Sequence, residues 1–109
     1  MAYREYVFLG VTISDLQQAR AICERLIDAP MKCTNSMFYG GDHCDVVKAG
    51  SRFELRLNHH DDGSGYTWCI EDAKYQLVLS CDFRSPDLRQ RILGRLAHFP
   101  EIELPPEGK

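Results

Sequence analysis

The sequence predicts an α+β fold, a two-layer domain in which an antiparallel-rich sheet of five to six strands packs against two helices. Several segments alternate apolar and polar side chains with a period of two, as strands with one buried face do. Two other segments carry apolar residues at three- and four-residue intervals, as helices with one buried stripe do. Two such helices on one sheet form two layers in the predicted order β-α-β-β-β-β-α-β.

The length of 109 residues predicts one domain, residues 1–109, with residues 105–109 as a tail. Residues 6–13 are rich in β-branched and aromatic side chains and predict a first strand. This strand is apolar on both faces, which favours a central position in the sheet. If the first two strands are parallel neighbours, their crossover should be right-handed.

The first helix is predicted directly after this strand. Ser14 and Gln17 fit a capping box, in which Ser14 caps the helix and Gln17 reaches back to it. The helix ends before Pro30, because the residue that precedes a proline avoids the helical region. Its apolar stripe comprises Leu16, Ala19, Ile22, Cys23, Leu26 and Ile27.

A three-stranded meander is predicted next. Residues 31–39 and 42–48 form its first two strands, separated by a break at Gly40 and Gly41. Residues 49–51 form a tight turn, in which Gly50 takes a positive φ without steric cost. In the third strand Phe53, Leu55 and Leu57 point one way, while Glu54, Arg56 and Asn58 point the other way. The meander then opens into a polar, acidic loop at residues 59–65.

The remainder of the chain predicts one or two strands, a helix and a short last strand. Residues 66–70 form a short strand or a packed loop, and residues 71–74 are a polar break. Residues 75–83 alternate with a period of two, so that one face of this strand carries Tyr75, Leu77, Leu79, Cys81 and Phe83. The second helix begins at Ser85-Pro86-Asp87, with a serine cap, proline in the first turn and an acid near the positive end of the helix. Its apolar stripe is Leu88, Ile92, Leu96 and Phe99, and residues 101–104 form the last strand.

Composition limits the classes of partner. Hydrophobic residues make up 44% and charged residues 27% of the chain, as in ordinary globular proteins. No apolar run approaches the roughly 20 residues of a membrane span, and the N-terminus lacks a signal pattern, so a cytoplasmic protein without membrane contact is expected. The net charge of −3 disfavours nucleic-acid binding and favours a basic partner.

The five cysteines are odd in number and irregular in spacing, which does not suggest a disulfide framework. No Cys-x-x-Cys pair indicates a zinc ribbon or a redox motif. We expect most of the cysteines to be small core hydrophobes.

No catalytic group, metal site or cofactor is predicted. Cys44, His43, His59 and Asp61 include nucleophile and base types, but nothing in their spacing selects a catalytic set. His43, His59, His60 and a cysteine could surround zinc, yet two successive strand histidines project to opposite faces. The loop histidines are therefore expected to be solvated and to confer pH sensitivity.

Aromatic residues close to acids mark the predicted partner-binding surface. In protein interfaces, aromatic side chains anchor the partner and charges raise the rate of encounter. The predicted contact residues are Phe38, Tyr39, Asp42, His59, His60, Asp61, Asp62, Tyr66, Trp68, Glu71 and Asp72.

The centre of the chain resembles small bacterial toxin-immunity proteins of the contact-dependent growth inhibition or related secreted-toxin type. The resemblance covers about a quarter of the chain and rests on Ser36-x-x-Tyr39-Gly40-Gly41-Asp42, a strand pair, and Glu54-Leu55-x-Leu57-Asn58 followed by acids. It implies a non-catalytic cytoplasmic inhibitor, a monomer or weak homodimer, that covers the active or substrate-binding surface of one cognate toxin domain, often a basic nuclease. In this chain His43 and Cys44 replace the aromatic pair that commonly follows the glycines in the group.

The strand–helix–three-strand order is also similar to one module of the glyoxalase and bleomycin-resistance class, which pairs to enclose a metal or small ligand. Glu54 could stand at the ligand position of the last strand. The first strand offers no His, Gln or Glu between Tyr6 and Ile13. This alternative is therefore a metal-free small-ligand-binding homodimer.

Overall fold

The computed structural model describes residues 2–36, 41–61, 66–72 and 74–105. These residues contain two helices and eight strands. The strands are β1 (Glu5–Val11), β2 (Lys32–Ser36), β3 (Gly41–Lys48), β4 (Ser51–Leu57), β5 (His59–Asp61), β6 (Tyr66–Trp68), β7 (Leu77–Phe83) and β8 (Ile102–Glu103). The helices are α1 (Leu16–Ile27) and α2 (Pro86–Arg95), and α2 continues into a 3₁₀ turn at Leu96–His98.

Six strands form one sheet in the order β2-β3-β4-β7-β1-β8, and every pair of neighbours is antiparallel. The predicted α+β class and the predicted order of strands and helices are thereby confirmed. β1 and β2 are not neighbours, because β7, β4 and β3 lie between them. The condition for a right-handed parallel crossover is therefore not met. β1 pairs with β7 along its whole length, but β8 pairs with it only at Gly10 and Val11. The predicted central position of β1 therefore holds for its last two residues.

The core lies between this sheet and the two helices. On β7 the residues at alternate positions from Leu77 to Phe83 are buried, and Phe53 of β4 meets Phe83 edge-to-face with ring centroids 5.6 Å apart. The predicted stripe of α1 also faces this core, with its buried positions at Ala19, Cys23, Leu26 and Ile27. Tyr75 is an exception to the predicted alternation, because it precedes β7 and its ring packs against Gly10 on the other face of β1.

The cap of α1 is Asp15 rather than Ser14, so the predicted capping box is wrong by one residue. The Asp15 carboxylate accepts hydrogen bonds from the backbone N–H groups of Gln17 at 2.8 Å and Gln18 at 3.3 Å. At the other end, the Lys48 ammonium donates to the carbonyls of Ile27 and Asp28 at 2.9 and 3.0 Å. These carbonyls lack helical partners, and a cation there also complements the negative end of the helix.

The second helix begins as predicted. The Ser85 hydroxyl accepts a hydrogen bond from the N–H of Leu88, with Pro86 and Asp87 in the first turn. The α-helical part ends at Arg95, whose side chain turns back to donate to the Leu26 carbonyl at 2.7 Å. The C-terminal end of α1 is thus tied both to β3 and to α2.

The predicted tight turn joins β3 to β4. Ala49 and Gly50 both have positive φ, 51° and 80°. This is the arrangement of a type I′ turn, whose twist matches that of the flanking strands. Gly50 adopts it without cost, whereas alanine at the preceding position is strained.

Three of the five cysteines, Cys23, Cys44 and Cys81, are buried in the hydrophobic core as predicted, but one of them takes part in a disulfide that was not predicted. Cys33 of β2 and Cys44 of β3 lie opposite each other and form a disulfide. Cys23 and Cys81 are buried free thiols, as predicted for core cysteines, and Cys69 is partly exposed. Spacing could not reveal the pair, because it depends on the register of two neighbouring strands.

Membrane-spanning helices are absent from the described residues: neither α1 nor α2 has the length and apolar character required.

Candidate functional site

One end of the sheet collects most of the described residues that were predicted to bind a partner. β4 ends at Leu57, which pairs with Leu77 at the start of β7. Because neighbouring strands are antiparallel, Asp42 near the start of β3 lies at this same end. We name it the hairpin end, and it comprises Asp42, Leu57, the strands β5 and β6, and the segment 69–76, of which Ala73 lies outside the described residues.

A two-stranded ribbon forms the centre of the hairpin end. In it β5 pairs with β6, so that His59 lies opposite Trp68 and Asp61 opposite Tyr66. The predicted polar loop is therefore partly strand, and the choice left open for residues 66–70 is settled as a strand over Tyr66–Trp68. The rings of His59 and Trp68 are stacked, with centroids 4.0 Å apart and planes inclined by 7°. Trp68 remains 38% exposed, so the stack presents an aromatic surface to solvent.

Asn58 holds the segment that follows the ribbon. Its side chain donates to the carbonyls of Ile70 at 2.8 Å and Tyr75 at 3.1 Å, and accepts from the Ile70 N–H at 2.7 Å. The backbone of Asn58 also receives a hydrogen bond from Cys69 and donates one to Gln76. Asn58 is fully buried, whereas the alternation of β4 predicted a side chain on the polar face. The segment 69–76 covers it and satisfies its amide.

Tyr75 packs this segment onto the sheet. A Cβ placed on Gly10 would lie 2.4 Å from the Tyr75 ring, so the ring occupies the space that any larger residue of β1 would need. The Tyr75 hydroxyl donates to the Glu103 carboxylate at 2.7 Å. Beside it opens a shallow cavity of about 270 Å³ at the edge of the aromatic stack. Its lining comprises Leu57, His59, Trp68, Tyr75 and Gln76.

The charges of the hairpin end are mainly acidic and accessible. Asp42, Glu71 and Asp72 are exposed. Lys74 lies in the segment 69–76, and its ammonium pairs with Glu103 at 3.2 Å. The hydrogen bond from Tyr75, together with the ion pair to Lys74, lowers the pKa of Glu103, while burial and this carboxylate raise the pKa of Tyr75. The exposed Asp42, Glu71 and Asp72 therefore give the described part of this surface its acidic character.

The predicted contact residues fall into three groups. His59, Trp68, Glu71, Asp72 and Asp42 lie at the hairpin end with described side chains. His60, Asp61 and Tyr66 belong to the ribbon by their backbone. Phe38, Tyr39 and Asp62 lie outside the described residues.

The residues that support the exposed contacts were not among the predicted contact residues. Leu57 and Tyr75 were assigned to the apolar faces of strands, and Gln76 was not singled out, yet all three line the cavity. One signal was present for Asn58, since an amide at the end of an apolar strand is suited to satisfying the backbone of a loop. Its four acceptors and donors, however, come from a segment twelve or more residues away.

Two of the nucleophile and base types considered above, His43 and Cys44, lie in β3. Cys44, considered above as a nucleophile type, is buried and bonded to Cys33. His43 is also buried, and its Nε2 lies 3.2 Å from the Thr34 hydroxyl. Within residues 2–36, 41–61, 66–72 and 74–105, no three His, Cys, Asp or Glu side chains converge on a point that could hold a metal ion.

Comparison of the chain with models of known families, with curated proteins and with solved structures finds no match.

Proposed function

We propose that this protein is a non-catalytic immunity protein that binds and neutralises a cognate bacterial toxin domain through its hairpin end. The observation that carries the proposal is the partly exposed Trp68, stacked on His59 at the end of the sheet where exposed acids lie. The resemblance of residues 36–58 to toxin-immunity proteins supports the same conclusion. The protein acts in the cytoplasm of the producing cell, as a monomer or weak homodimer.

The chemistry of the hairpin end suits a basic partner. A tryptophan held in place by stacking loses little entropy when it is covered, which makes it an efficient anchor. Around it, Asp42, Glu71 and Asp72 attract lysine and arginine side chains of the partner. In a nuclease those cations hold the phosphates of the substrate, so that pairing with them blocks substrate binding.

The residues beneath the contact surface are buried and hydrogen-bonded. The hydrogen bonds of Asn58 and the packing of Tyr75 onto Gly10 fix the segment 69–76 before any partner arrives. A surface ordered in advance does not have to be ordered on binding, which favours tight association. These contacts suit the hairpin end to be the binding surface of a non-catalytic inhibitor.

The first test is an affinity pull-down of the tagged protein from lysate of its source organism at low and high salt. We expect one stoichiometric basic polypeptide, retained at low salt and weakened at high salt. Expressed alone, that polypeptide should stop cell growth, and co-expression of this protein should restore it. A homodimer that retains a small molecule, with no basic partner, would instead favour the ligand-binding module.

Matched variants locate the contact. Trp68→Ala should weaken binding of the isolated toxin at least about tenfold, because it removes an aromatic anchor. Val47→Ala removes an apolar side chain that is 61% exposed beside the β3–β4 turn, at the opposite end of the sheet, and should leave binding unchanged. Glu71→Lys should slow association, whereas the same reversal at Asp87 on α2 should not. Equal effects of the paired variants would contradict this assignment of the surface.

A further inference from the structure

The Cys33–Cys44 disulfide joins an edge strand to the sheet. β2 is the outermost strand on its side, and β3 is its neighbour. Cys44 is fully buried, whereas Cys33 is partly exposed and opens onto a cavity of about 250 Å³. The lining of this cavity comprises Leu16, Gln17, Cys33, Thr34 and Asp42. Only one sulfur of the pair is therefore accessible to a molecule in solution.

A cation lies beside the accessible sulfur. The guanidinium of Arg20, on α1, donates to the Cys33 Sγ at 3.7 Å. A neighbouring guanidinium favours the thiolate form of a cysteine, which is the form that attacks disulfides and the form that leaves most readily. The Cys33 sulfur thus combines access with a group that stabilises its charge after the disulfide opens.

The free cysteines lack this combination. Burial raises the pKa of the Cys23 thiol to about 12 and raises that of Cys81 well above its ordinary value. Both are enclosed in the core, so that neither reacts in the folded protein. Cys69 is a free cysteine that is partly exposed at the hairpin end. Comparing its reactivity with that of Cys33 shows how much of the reactivity exposure alone explains.

We propose that Cys33 and Cys44 form a reversible thiol–disulfide site, in which Cys33 exchanges with small-molecule thiols and disulfides of the glutathione class and Cys44 is the resolving thiol. On reduction, a glutathione thiolate attacks the Cys33 sulfur, the bond to Cys44 breaks, and the Cys44 sulfur leaves and takes up a proton. A second glutathione thiolate then attacks the glutathione sulfur bound to Cys33. Oxidised glutathione leaves, and Cys33 remains as a thiolate beside Arg20.

Oxidation follows the same steps in reverse. The Cys33 thiolate attacks oxidised glutathione and releases one glutathione, and Cys44, after losing its proton, attacks the Cys33 sulfur and releases the second. Two electrons pass from the protein to one molecule of oxidised glutathione, and the disulfide closes. The cytosol keeps most thiols reduced, and disulfides that do form there are mostly transient or redox-sensing. Such a site would report the redox state of its compartment whether or not the protein binds a toxin.

The test is to incubate the purified, folded protein in mixtures of reduced and oxidised glutathione, quench with acid and map the cysteines by mass spectrometry. We expect the Cys33–Cys44 bond to open and to re-form with the ratio of the two glutathione forms, while the circular dichroism spectrum stays native. Samples that are quenched early and alkylated after denaturation should carry glutathione on Cys33 and the label on Cys44. Cys69→Ser should leave this cycle intact.

Variants test the assigned roles. Cys44→Ser should accumulate a stable glutathione adduct on Cys33, because the resolving thiol is gone. Arg20→Met should slow exchange roughly threefold to tenfold by reducing the thiolate fraction, and Arg20→Lys should restore much of the rate. If Cys44→Ser does not fold, the early-quench samples of the natural sequence still identify the attacked sulfur.

Three results would overturn the proposal. One is a disulfide that glutathione opens only after the protein has been unfolded by denaturant. Another is adduct formation on Cys44 or Cys69 in preference to Cys33. The third is an exchange rate that Arg20→Met leaves unchanged.

Discussion

At the scale of single residues, Asn58 and Gly10 position the candidate contact surface. Asn58 directly follows the last residue of β4, and its side chain forms hydrogen bonds with the backbone of Ile70 and Tyr75. Gly10 provides, by having no side chain, the space in which the Tyr75 ring lies. Neither residue contacts solvent. Both act by holding the chain segment that carries Glu71 and Asp72.

Gly10→Ala tests this close approach. A Cβ only 2.4 Å from the ring carbons of Tyr75 forces the ring or the strand to move, which should lower the free energy of unfolding by about 2 kcal/mol. Urea denaturation followed by the fluorescence of Trp68 measures the change. In a Tyr75→Ala background the same substitution should cost much less, because the clash is absent.

Gly94→Ala is the matched control on α2. No atom lies within 4 Å of a Cβ at this exposed helical position. Alanine there should raise stability by roughly 0.5–1 kcal/mol, because it restricts the unfolded chain more than glycine does. A Gly10→Ala variant as stable as the natural sequence would contradict the packing of Tyr75 described above.

At the scale of elements, α1 shows how far local sequence rules reach. Its apolar stripe and its length agree with the prediction, because both depend on residues within the helix itself. Its cap does not: Ser14 and Asp15 are both good caps, and the path of the chain leaving β1 places Asp15 at the capping position. The carbonyls at the other end are satisfied by Lys48 and Arg95, from elements distant in sequence.

Substitution of the two candidate caps distinguishes them. Asp15→Ala should lower the free energy of unfolding by about 1 kcal/mol, since it removes the acceptor of two helix N–H groups. Ser14→Ala should change it by less than about 0.5 kcal/mol, because Ser14 is exposed and outside the cap. Urea denaturation of both variants provides the comparison. A larger loss for Ser14→Ala would restore the capping box that the sequence suggested.

At the scale of the whole molecule, paired carboxylates link stability to pH. Asp82 accepts hydrogen bonds from Arg4 at 3.2 Å and Arg84 at 3.3 Å. Burial alone would raise the pKa of Asp82, but these two guanidinium groups hold it below its ordinary value. The pKa of Glu5 is likewise lowered, by the hydroxyl of Tyr3 first and then by Arg89, despite the opposing effect of burial.

We therefore expect stability to fall at acid pH. A carboxyl whose pKa is lower in the folded state stabilises the fold above its ordinary pKa of about 4, and this contribution is lost as the pH falls through the folded pKa. Urea denaturation between neutral and acid pH should show a plateau followed by a decline below about pH 4. Asp82→Asn should lower the plateau and make the decline shallower. A decline of unchanged steepness in this variant would remove Asp82 from the explanation.

The fold class, the order of elements and the apolar face of each helix were predictable from the amino-acid sequence alone. These properties depend on periodicity, and periodicity is local: Leu77 and Leu79 share a face because they are two residues apart in a strand. The turn at Gly50 and the start of α2 at Ser85 were likewise readable from single residues. The predicted contact residues were identified by type and by nearness in the chain.

Which of these residues come into contact depends on the three-dimensional arrangement of the strands. The stack of His59 on Trp68, the disulfide between Cys33 and Cys44, and the packing of Tyr75 on Gly10 each join separate segments. Such contacts depend on strand order and register, which arise from the packing of the whole sheet and leave no periodic trace in the chain. For the same reason Asn58, polar by type, became one of the most buried side chains in the described protein.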